Sequence, residues 1–220
     1  MRLIAALLSL LALAAAAPRD WTAVTTRTPA GAYVLGNPAA RVKLVEYGSY
    51  TCPHCAAFAA ESAPVLKAQM IRSGSTSLEY RHLIRDGLDL GAAILARCAG
   101  PRGFAGTSAY IFATQNQWFP RGYEFQQTNA QRIALYPKLA QVRALADGSG
   151  LTAMVEARGL RPAQVDACFA DEGEVNRILA MTAAVPAGVQ GTPAFFINGR
   201  LVPTAAWAGL QPQLRAAGAR

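Results

Sequence analysis

The sequence has few residues that bind metal ions and no cluster of like charges. Its 220 residues include two histidines and four cysteines, and beyond a single Cys-X-X-Cys motif no second ligand pair lies at the spacing of a zinc site. The 21 Lys and Arg outnumber the 13 Asp and Glu, for a net charge of +8, but they are scattered. Without a basic stripe we expect no nucleic-acid partner. Diffuse positive charge instead favours solubility and general attraction to acidic partners.

After the N-terminus, no apolar run approaches the length of a membrane span. Residues 3–17 form an uncharged Leu- and Ala-rich run of 15 residues, whereas a membrane helix needs about 20. The single Arg2 before the run and the small residues at its end are typical of a secretory signal peptide. We therefore expect residues 1–17 to direct export to the periplasm or another extracytoplasmic compartment. An uncleaved N-terminal anchor is the alternative.

The most informative motif is Cys52-Pro53-His54-Cys55, which lies between a strand-like apolar run and a helix-like stretch. Two cysteines separated by two residues can close a small ring only where the backbone turns tightly, as it does at a helix start. A helix start also supplies unpaired N–H groups and the positive end of the helix dipole, which stabilise a thiolate. The motif predicts a redox-active disulfide with Cys52 as the nucleophile. A purely structural disulfide, with His54 as an ordinary turn residue, is the alternative.

The other two cysteines, Cys98 and Cys168, complete an even number in the part of the chain expected to be exported. In an oxidising compartment an even number suggests two disulfides. A bond between them would close a loop of 70 residues and stabilise the fold by about 4 kcal/mol. Two separately buried thiols are the alternative.

Hydrophobic patterning predicts a sheet that is interrupted by helices. Strands are expected at residues 33–35, 41–47, 77–84 and 194–197, with a hairpin partner at 201–202. Residues 53–72 predict a long helix with a kink at Pro64, and a last helix is expected from 204 to about 216. Residues 87–183 consist of Ala- and Leu-rich segments with helical spacing, and breaks are expected at residues 100–101, 119–122 and 148–150. The fold class predicted is α/β, with an all-helical insertion at 87–183 between sheet segments at 33–86 and 184–218.

The CPHC motif after a strand, together with Gly191-Thr192-Pro193 before a late strand, resembles the thioredoxin superfamily. The helical block between the two resembles the DsbA-type thiol-disulfide oxidoreductases. The resemblance runs from about Leu35 to the C-terminus, and its most specific portions are residues 45–55 and 189–198. It implies a thioredoxin-like mixed sheet with an inserted all-helical subdomain.

The resemblance also implies roles for individual residues near the motif. Cys52 takes the nucleophile role and Cys55 the resolving role, while His54 tunes Cys52, because a histidine between the thiols can lower the pKa of the thiolate. Glu46, six residues before Cys52, matches a buried acid that relays protons to and from the resolving thiol. A strand-end glutamate that reaches solvent is the alternative.

Thr192 and Pro193 match the family's cis-proline loop, which packs against the disulfide and offers backbone groups to an extended substrate. A trans proline at a strand start is the alternative. Some oxidases of the family have an aliphatic residue before this proline, whereas threonine also occurs in isomerases and reductases. The direction of electron flow therefore stays open at this point.

We expect an exported oxidase that introduces disulfides into newly translocated proteins, with unfolded polypeptides carrying free thiols as substrates. The resemblance implies a membrane quinone-linked partner that reoxidises it, and no dissociable cofactor. An isomerase or reductase is the nearest rival, although isomerases of the superfamily commonly dimerise through a separate N-terminal domain for which few residues precede Tyr33. A non-catalytic peptide-binding chaperone with structural disulfides is a rival from another class.

Overall fold

A six-stranded mixed sheet forms the framework of the part of the chain that the computed structural model describes, residues 19–220. The predicted signal peptide at 1–17 lies outside the described residues. The strand order is β1-β2-β4-β3-β5-β6, in which β3 and β4 are parallel and all other neighbours are antiparallel. The strands are β1 (Thr25–Arg27), β2 (Tyr33–Gly36), β3 (Val42–Gly48), β4 (Thr76–His82), β5 (Ala194–Ile197) and β6 (Arg200–Val202). Sequence analysis did not identify β1, whose three residues are polar.

The connection between the parallel strands β3 and β4 is helical, as a parallel pair requires. Helix α1 (Pro53–Ser62) begins directly after Cys52, the first cysteine of the CPHC motif, and continues as a π-helix (Ala63–Ile71). Pro64 lacks an N–H donor and lies in the first turn of the π-helix. The predicted helix over residues 53–72 is present, and at Pro64, where a kink was predicted, the structure has the start of a π-helical segment.

Seven helices lie between β4 and β5 and form the insertion, which confirms the predicted class of a mixed sheet interrupted by helices. At its centre, α2 is buried along nearly its whole length. Its small residues Ala92, Ala93 and Ala96 leave room for the neighbouring helices to pack closely against it. The seven are α2 (Gly87–Cys98), α3 (Gly100–Ala113), α4 (Gln115–Ile133), α5 (Lys138–Gly148), α6 (Leu151–Glu156), α7 (Pro162–Ala170) and α8 (Glu172–Ala183).

The apolar residues form two clusters that share the sheet. One lies between the sheet, α1 with its π-helical extension, and the last helix, α9 (Trp207–Ala216), and includes Leu44, Phe58 and Phe195. The other fills the insertion and reaches Cys52 and Cys55. Within residues 19–220, no helix is long and apolar enough to cross a membrane.

A network centred on the buried Arg97 joins α2 to α8 and connects both helices to the first strands. Arg97 on α2 donates from Nε to Glu174 on α8 at 2.7 Å and from Nη2 to the Gly31 carbonyl at 2.8 Å. Glu174 also pairs with Arg27 and Arg177. Because the Arg97 side chain is almost fully buried, this pairing avoids an uncompensated charge inside the protein.

Next to this ion pair, a disulfide joins Cys98 at the end of α2 to Cys168 on α7, with the two Cα atoms 5.8 Å apart. The bond closes a loop of 70 residues that contains most of the insertion. Its main expected effect is to restrict the unfolded chain.

Replacing both Cys98 and Cys168 by alanine should lower the free energy of unfolding by about 4 kcal/mol, because the unfolded chain regains the freedom of the open loop. Urea unfolding of wild type and the double variant measures this, with the Cys52–Cys55 pair held in the same redox state in both. A loss below about 1 kcal/mol would contradict the assignment of this bond as a major stabilising element.

Candidate active site

The two cysteines of the CPHC motif lie at the junction between the carboxyl end of β3 and the start of α1. Cys52 caps the helix in an extended conformation, with φ −88° and ψ 119°, and Pro53 occupies the first turn. Both cysteines are buried free thiols in this structure. The unpaired N–H groups of a helix start therefore lie next to the Cys52 sulfur.

Hydrogen bonds to its sulfur make Cys52 acidic. Donation from the Cys55 thiol contributes most, and together with the Thr192 side chain and the backbone N–H groups of Cys55 and His54 it outweighs burial and lowers the pKa of Cys52 to about 5. Cys52 is therefore a thiolate at neutral pH. Such a thiolate is a nucleophile and also a good leaving group.

Cys55 behaves in the opposite way. Its hydrogen bond to the Cys52 sulfur, its burial and the negative charge of Glu46 all raise the pKa of its thiol. Cys55 thus retains its proton and shares it with Cys52. The two cysteines differ because Cys52 receives the hydrogen bond between the two thiols, together with bonds from Thr192 and from the helix start, whereas Cys55 donates that bond and receives only one, from the Ser49 backbone.

The loop before β5 lies against Cys52, although 140 residues separate them in sequence. The Thr192–Pro193 peptide bond is cis. In its protonated form the Cys52 thiol can donate to the carbonyl oxygen of Thr192, with Sγ and O 3.1 Å apart. The structure therefore brings together the two segments that sequence analysis singled out.

Glu46 lies on the same face of β3 as Leu44, the face that packs against α1, and only 3% of its surface is exposed. Burial, together with the negative charge of Cys52, raises the pKa of this carboxyl to about 8. Its Oε1 has no hydrogen-bond partner among residues 19–220. Glu46 does not reach solvent, which removes the alternative that sequence analysis left open for it.

His54 and Pro53 are exposed at the start of α1. The backbone N–H of His54 contributes to the low pKa of Cys52. The exposed imidazole thus lies at the protein surface beside both cysteines.

Two aspartates that were not predicted from the sequence hold the loop before Cys52. Asp89 accepts from the Tyr50 N–H at 2.7 Å, and Asp86 accepts from the Thr51 hydroxyl at 2.9 Å. Asp86 also caps α2 by accepting from the Asp89 N–H. The capping pattern could have revealed Asp86 as a helix start, but the contacts to the loop need the tertiary fold.

Gln115, the first residue of α4, also holds this loop and was missed. Its Nε2 donates to the carbonyls of Tyr50 at 2.6 Å and Cys52 at 3.0 Å. Because Gln115 is itself buried, the insertion fixes the backbone on which Cys52 lies. A single glutamine in a helix carries no sequence signal for this role.

Beside Glu46 lies a buried aromatic group on β4. Tyr80 is the register partner of Glu46, and its ring packs over Gly48, where an added Cβ would lie 2.6 Å from the Tyr80 hydroxyl oxygen. His82 is buried among Tyr80 and Tyr50, and burial holds its pKa well below its usual range. His82 packs among these rings, and neither of its ring nitrogens has a hydrogen-bond partner among residues 19–220. In residues 19–220 no three His, Cys, Asp or Glu side chains are grouped to hold a metal ion.

The sequence model of the thioredoxin family matches residues 28–216. The chain belongs to the thioredoxin family. The resemblance to this superfamily is confirmed, and with it the thioredoxin-like fold with a helical insertion. A crystal structure of a protein-disulfide isomerase from Novosphingobium aromaticivorans has 34% identity and a TM-score of 0.77, with 83% of this chain and 95% of that chain covered.

Two further relatives are more distant. The structure of Wolbachia pipientis alpha-DsbA1 shares the fold, with a TM-score of 0.60 at 24% identity, covering 74% of this chain and 73% of that one. A Rickettsia typhi protein, provisionally named a protein-disulfide oxidoreductase, is 30% identical over 81% of this chain and 58% of its own length. The chain thus spans about three fifths of the length of the curated relatives it matches.

Alkylation of Cys52 in the reduced protein should accelerate as the pH rises through about 5 and level off near neutral pH, because only the thiolate reacts. Rates with iodoacetamide, followed by peptide mapping, measure this. Cys55→Ala removes the main donor and should move the midpoint upward. Cys55→Ser keeps a hydroxyl donor and should move it less. A wild-type midpoint near the ordinary value of about 8.5 would contradict the assignment.

Replacing Glu46 by glutamine should have a more favourable effect on the free energy of unfolding at pH 7 than at pH 4. Below the ordinary pKa of about 4.3 the acid is neutral in both states, whereas up to about 8 it ionises only on unfolding. The stability associated with the neutral acid is thus lost as the pH rises. The difference between variant and wild type should grow by about 3 kcal/mol between pH 4 and pH 7, as measured by urea unfolding. A difference independent of pH would contradict the raised pKa.

Proposed function

We propose that the protein is a thiol-disulfide oxidoreductase, and specifically an exported oxidase that introduces disulfides into newly translocated proteins. The observation that carries this proposal is the asymmetry of the two thiols. Cys52 has a pKa of about 5, whereas the pKa of Cys55, one helical turn away, is raised. An asymmetric pair of this kind provides one nucleophile and one resolving thiol.

The proposed reaction begins with the Cys52–Cys55 disulfide. A substrate thiolate attacks the Cys52 sulfur, so that a mixed disulfide forms and Cys55 leaves with the electron pair of the broken bond. A second substrate thiolate then attacks the substrate sulfur of the mixed disulfide and releases Cys52 as a thiolate. The substrate loses two electrons and gains a disulfide, and the protein ends with both cysteines reduced.

Glu46 is the proposed source of the proton that Cys55 takes up as it leaves. With a pKa of about 8 this carboxyl is neutral at pH 7. When ionised it raises the pKa of Cys55, and the charge of Cys52 raises the pKa of the carboxyl itself. A buried carboxyl of this kind can act as a proton donor to one thiol and recover its proton later. Its burial keeps the exchange away from bulk water.

The stable thiolate at Cys52 supports a reaction in which the protein oxidises its substrate and is itself reduced. Each pKa unit below the ambient pH is worth about 1.4 kcal/mol, or about 30 mV for a two-electron couple. A pKa of about 5 at pH 7 therefore favours the reduced form by about 60 mV. His54, exposed between the two cysteines, is proposed to stabilise the Cys52 thiolate further.

Thr192 and Pro193 are the proposed substrate-binding residues. The Thr192 carbonyl lies beside Cys52 at the end of a loop that leads into β5. Backbone groups of such a loop can pair with an extended polypeptide by strand addition. An unfolded chain with free thiols is the substrate that fits this geometry.

The remaining parts of the proposal follow from the sequence pattern and, for the reoxidising partner, from the family resemblance. Residues 1–17 would direct export, and a membrane quinone-linked protein would return the reduced pair to the disulfide. Residues 33–86 with 184–218 would form the thioredoxin-like domain, with 87–183 as the inserted helical subdomain. No dissociable cofactor has a role in this proposal.

An isomerase is the second candidate function, because the similar protein from Novosphingobium aromaticivorans is named an isomerase. Threonine before the cis proline also fits an isomerase. An isomerase works from the reduced Cys52 thiolate, which attacks wrong disulfides and is regenerated when the substrate rearranges, so no net oxidation occurs.

The redox equilibrium of residues 52 and 55 in glutathione buffers distinguishes an oxidase from a reductase. A potential near about −120 mV is expected for an oxidase, whereas a value near about −270 mV would make the protein a reductase. Alkylation and peptide mapping identify which cysteines are oxidised, and Cys98→Ala/Cys168→Ala confirms that the signal comes from Cys52 and Cys55.

Two substrates complete this test. The oxidised protein should introduce disulfides into a reduced, unfolded ribonuclease, whereas an isomerase in reduced form would restore activity to a scrambled ribonuclease without net oxidation. The Cys52→Ser variant should abolish either activity. A Cys52–Cys55 disulfide that resists mild reductant, with no transfer to either substrate, would instead identify a chaperone with structural disulfides.

A further inference from the structure

A cleft lies between α1 with its π-helical extension on one side and α3 on the other, and the sheet forms its floor. Its volume is about 170 Å³, similar to that of an engineered apolar cavity of about 150 Å³ that binds benzene. Its walls are mainly aromatic and aliphatic. They include Phe58, Ala59 and Leu66 on one side and Phe104, Ala105 and Phe112 on the other.

The two ends of the cleft differ. At the mouth, Lys67 and Ala109 are exposed. At the deep end, Glu46 and Tyr80 contribute polar side chains to the lining and are 3% and 5% exposed. The cleft thus runs from the surface to the carboxyl that lies near Cys55.

One polar atom of each of these two side chains lacks a hydrogen-bond partner. Oε1 of Glu46 and the hydroxyl of Tyr80 are buried and find no partner in the part of the chain that the structure describes. A buried polar atom without a partner costs free energy, because it has lost its hydrogen bonds to water and gained none in exchange. A ligand that brings a hydroxyl to this end would recover part of that free energy.

We propose that this cleft binds a small aromatic hydroxyl compound of the phenol class, with its ring between α1 and α3 and its hydroxyl at Glu46 and Tyr80. Phe58, Phe104 and Phe112 provide apolar and aromatic surface for a flat ring. A phenol hydroxyl both donates and accepts, so it can pair with a protonated carboxyl and with the Tyr80 hydroxyl. The charged Lys67 remains at the mouth and in water.

The chemistry of the deep end selects against other ligands of the same size. A carboxylate would meet the oxygens of Glu46, whose pKa already shows that negative charge is disfavoured there. A purely apolar molecule would fill the space but leave Oε1 and the Tyr80 hydroxyl unpaired. A bound phenol also covers the buried carboxyl from the solvent side, so the site lies where a ligand could regulate the thiols.

Titration of the full-length protein at pH 7 with phenol, and separately with toluene, tests this inference by amide chemical shifts. Toluene has a similar shape but no hydroxyl. Phenol should bind about five-fold more tightly than toluene, as expected for about one hydrogen bond. Tyr80→Phe should reduce that preference by several-fold while toluene binding is retained.

Variants of α3 supply the controls. Ala105→Leu and Ala109→Leu place side chains in the cleft and should weaken binding of both compounds at least ten-fold. Ala113→Leu, exposed on the same helix and outside the cleft, should leave binding unchanged. Equal affinity for phenol and toluene, or phenol binding that persists in both filled-cleft variants, would overturn the proposal. An absence of phenol binding at concentrations up to about 10 mM, beyond the weak end of ordinary affinities, would also overturn it.

These outcomes are separate from the proposed function. Binding is read from chemical shifts and needs no redox activity, so an inactive protein can still bind phenol. Conversely, a protein with the potential of an oxidase whose cleft holds only water would refute the ligand site and leave the proposed function intact.

Discussion

The hydrogen bonds that converge on the Cys52 sulfur are the interactions on which the rest of the site depends. They come from Cys55, from the first N–H groups of α1 and from Thr192. Each donor requires a different part of the fold: the helix start, the tight turn of the motif, and the loop before β5. A sulfur that collects donors in this way is stable as a thiolate inside the protein. The chemistry of Cys52 is therefore a property of the assembled fold and not of the cysteine alone.

The placement of these donors depends in turn on the helical insertion. Asp89 and Gln115, from two helices of that insertion, hold the backbone of Tyr50, and Gln115 also holds the Cys52 carbonyl. Because Asp89 and Gln115 are buried, these bonds form in a medium of low dielectric constant and fix the loop more firmly than exposed bonds would. The insertion thus supports the site directly, besides covering one side of it. The bond from Arg97 to the Gly31 carbonyl and the ion pair of Arg27 with Glu174 anchor the same insertion to the first strands.

Much of the fold and part of the site could be predicted from local sequence. Residues 52–55 predicted both the helix start and the reactive pair, because the two thiols are close in sequence and the apolar run before them has the pattern of a buried strand. The three polar residues of β1 gave no such pattern, so that strand was missed. Asp86 has a recognisable capping pattern, whereas Asp89 and Gln115 bind a loop more than 35 residues away. No local pattern encodes such a contact.

Glu46 illustrates the difference most clearly. The sequence by itself determined that a carboxylate interrupts an apolar strand close to the motif, that four cysteines are present, and that helices separate the two halves of the sheet. Only the tertiary structure decided that Glu46 is buried, that its pKa rises to about 8 and that Thr192 lies beside Cys52. The physical reason is that the pKa of a group depends on its desolvation and on the charges and donors around it. Those neighbours come from strands and helices that only folding brings together.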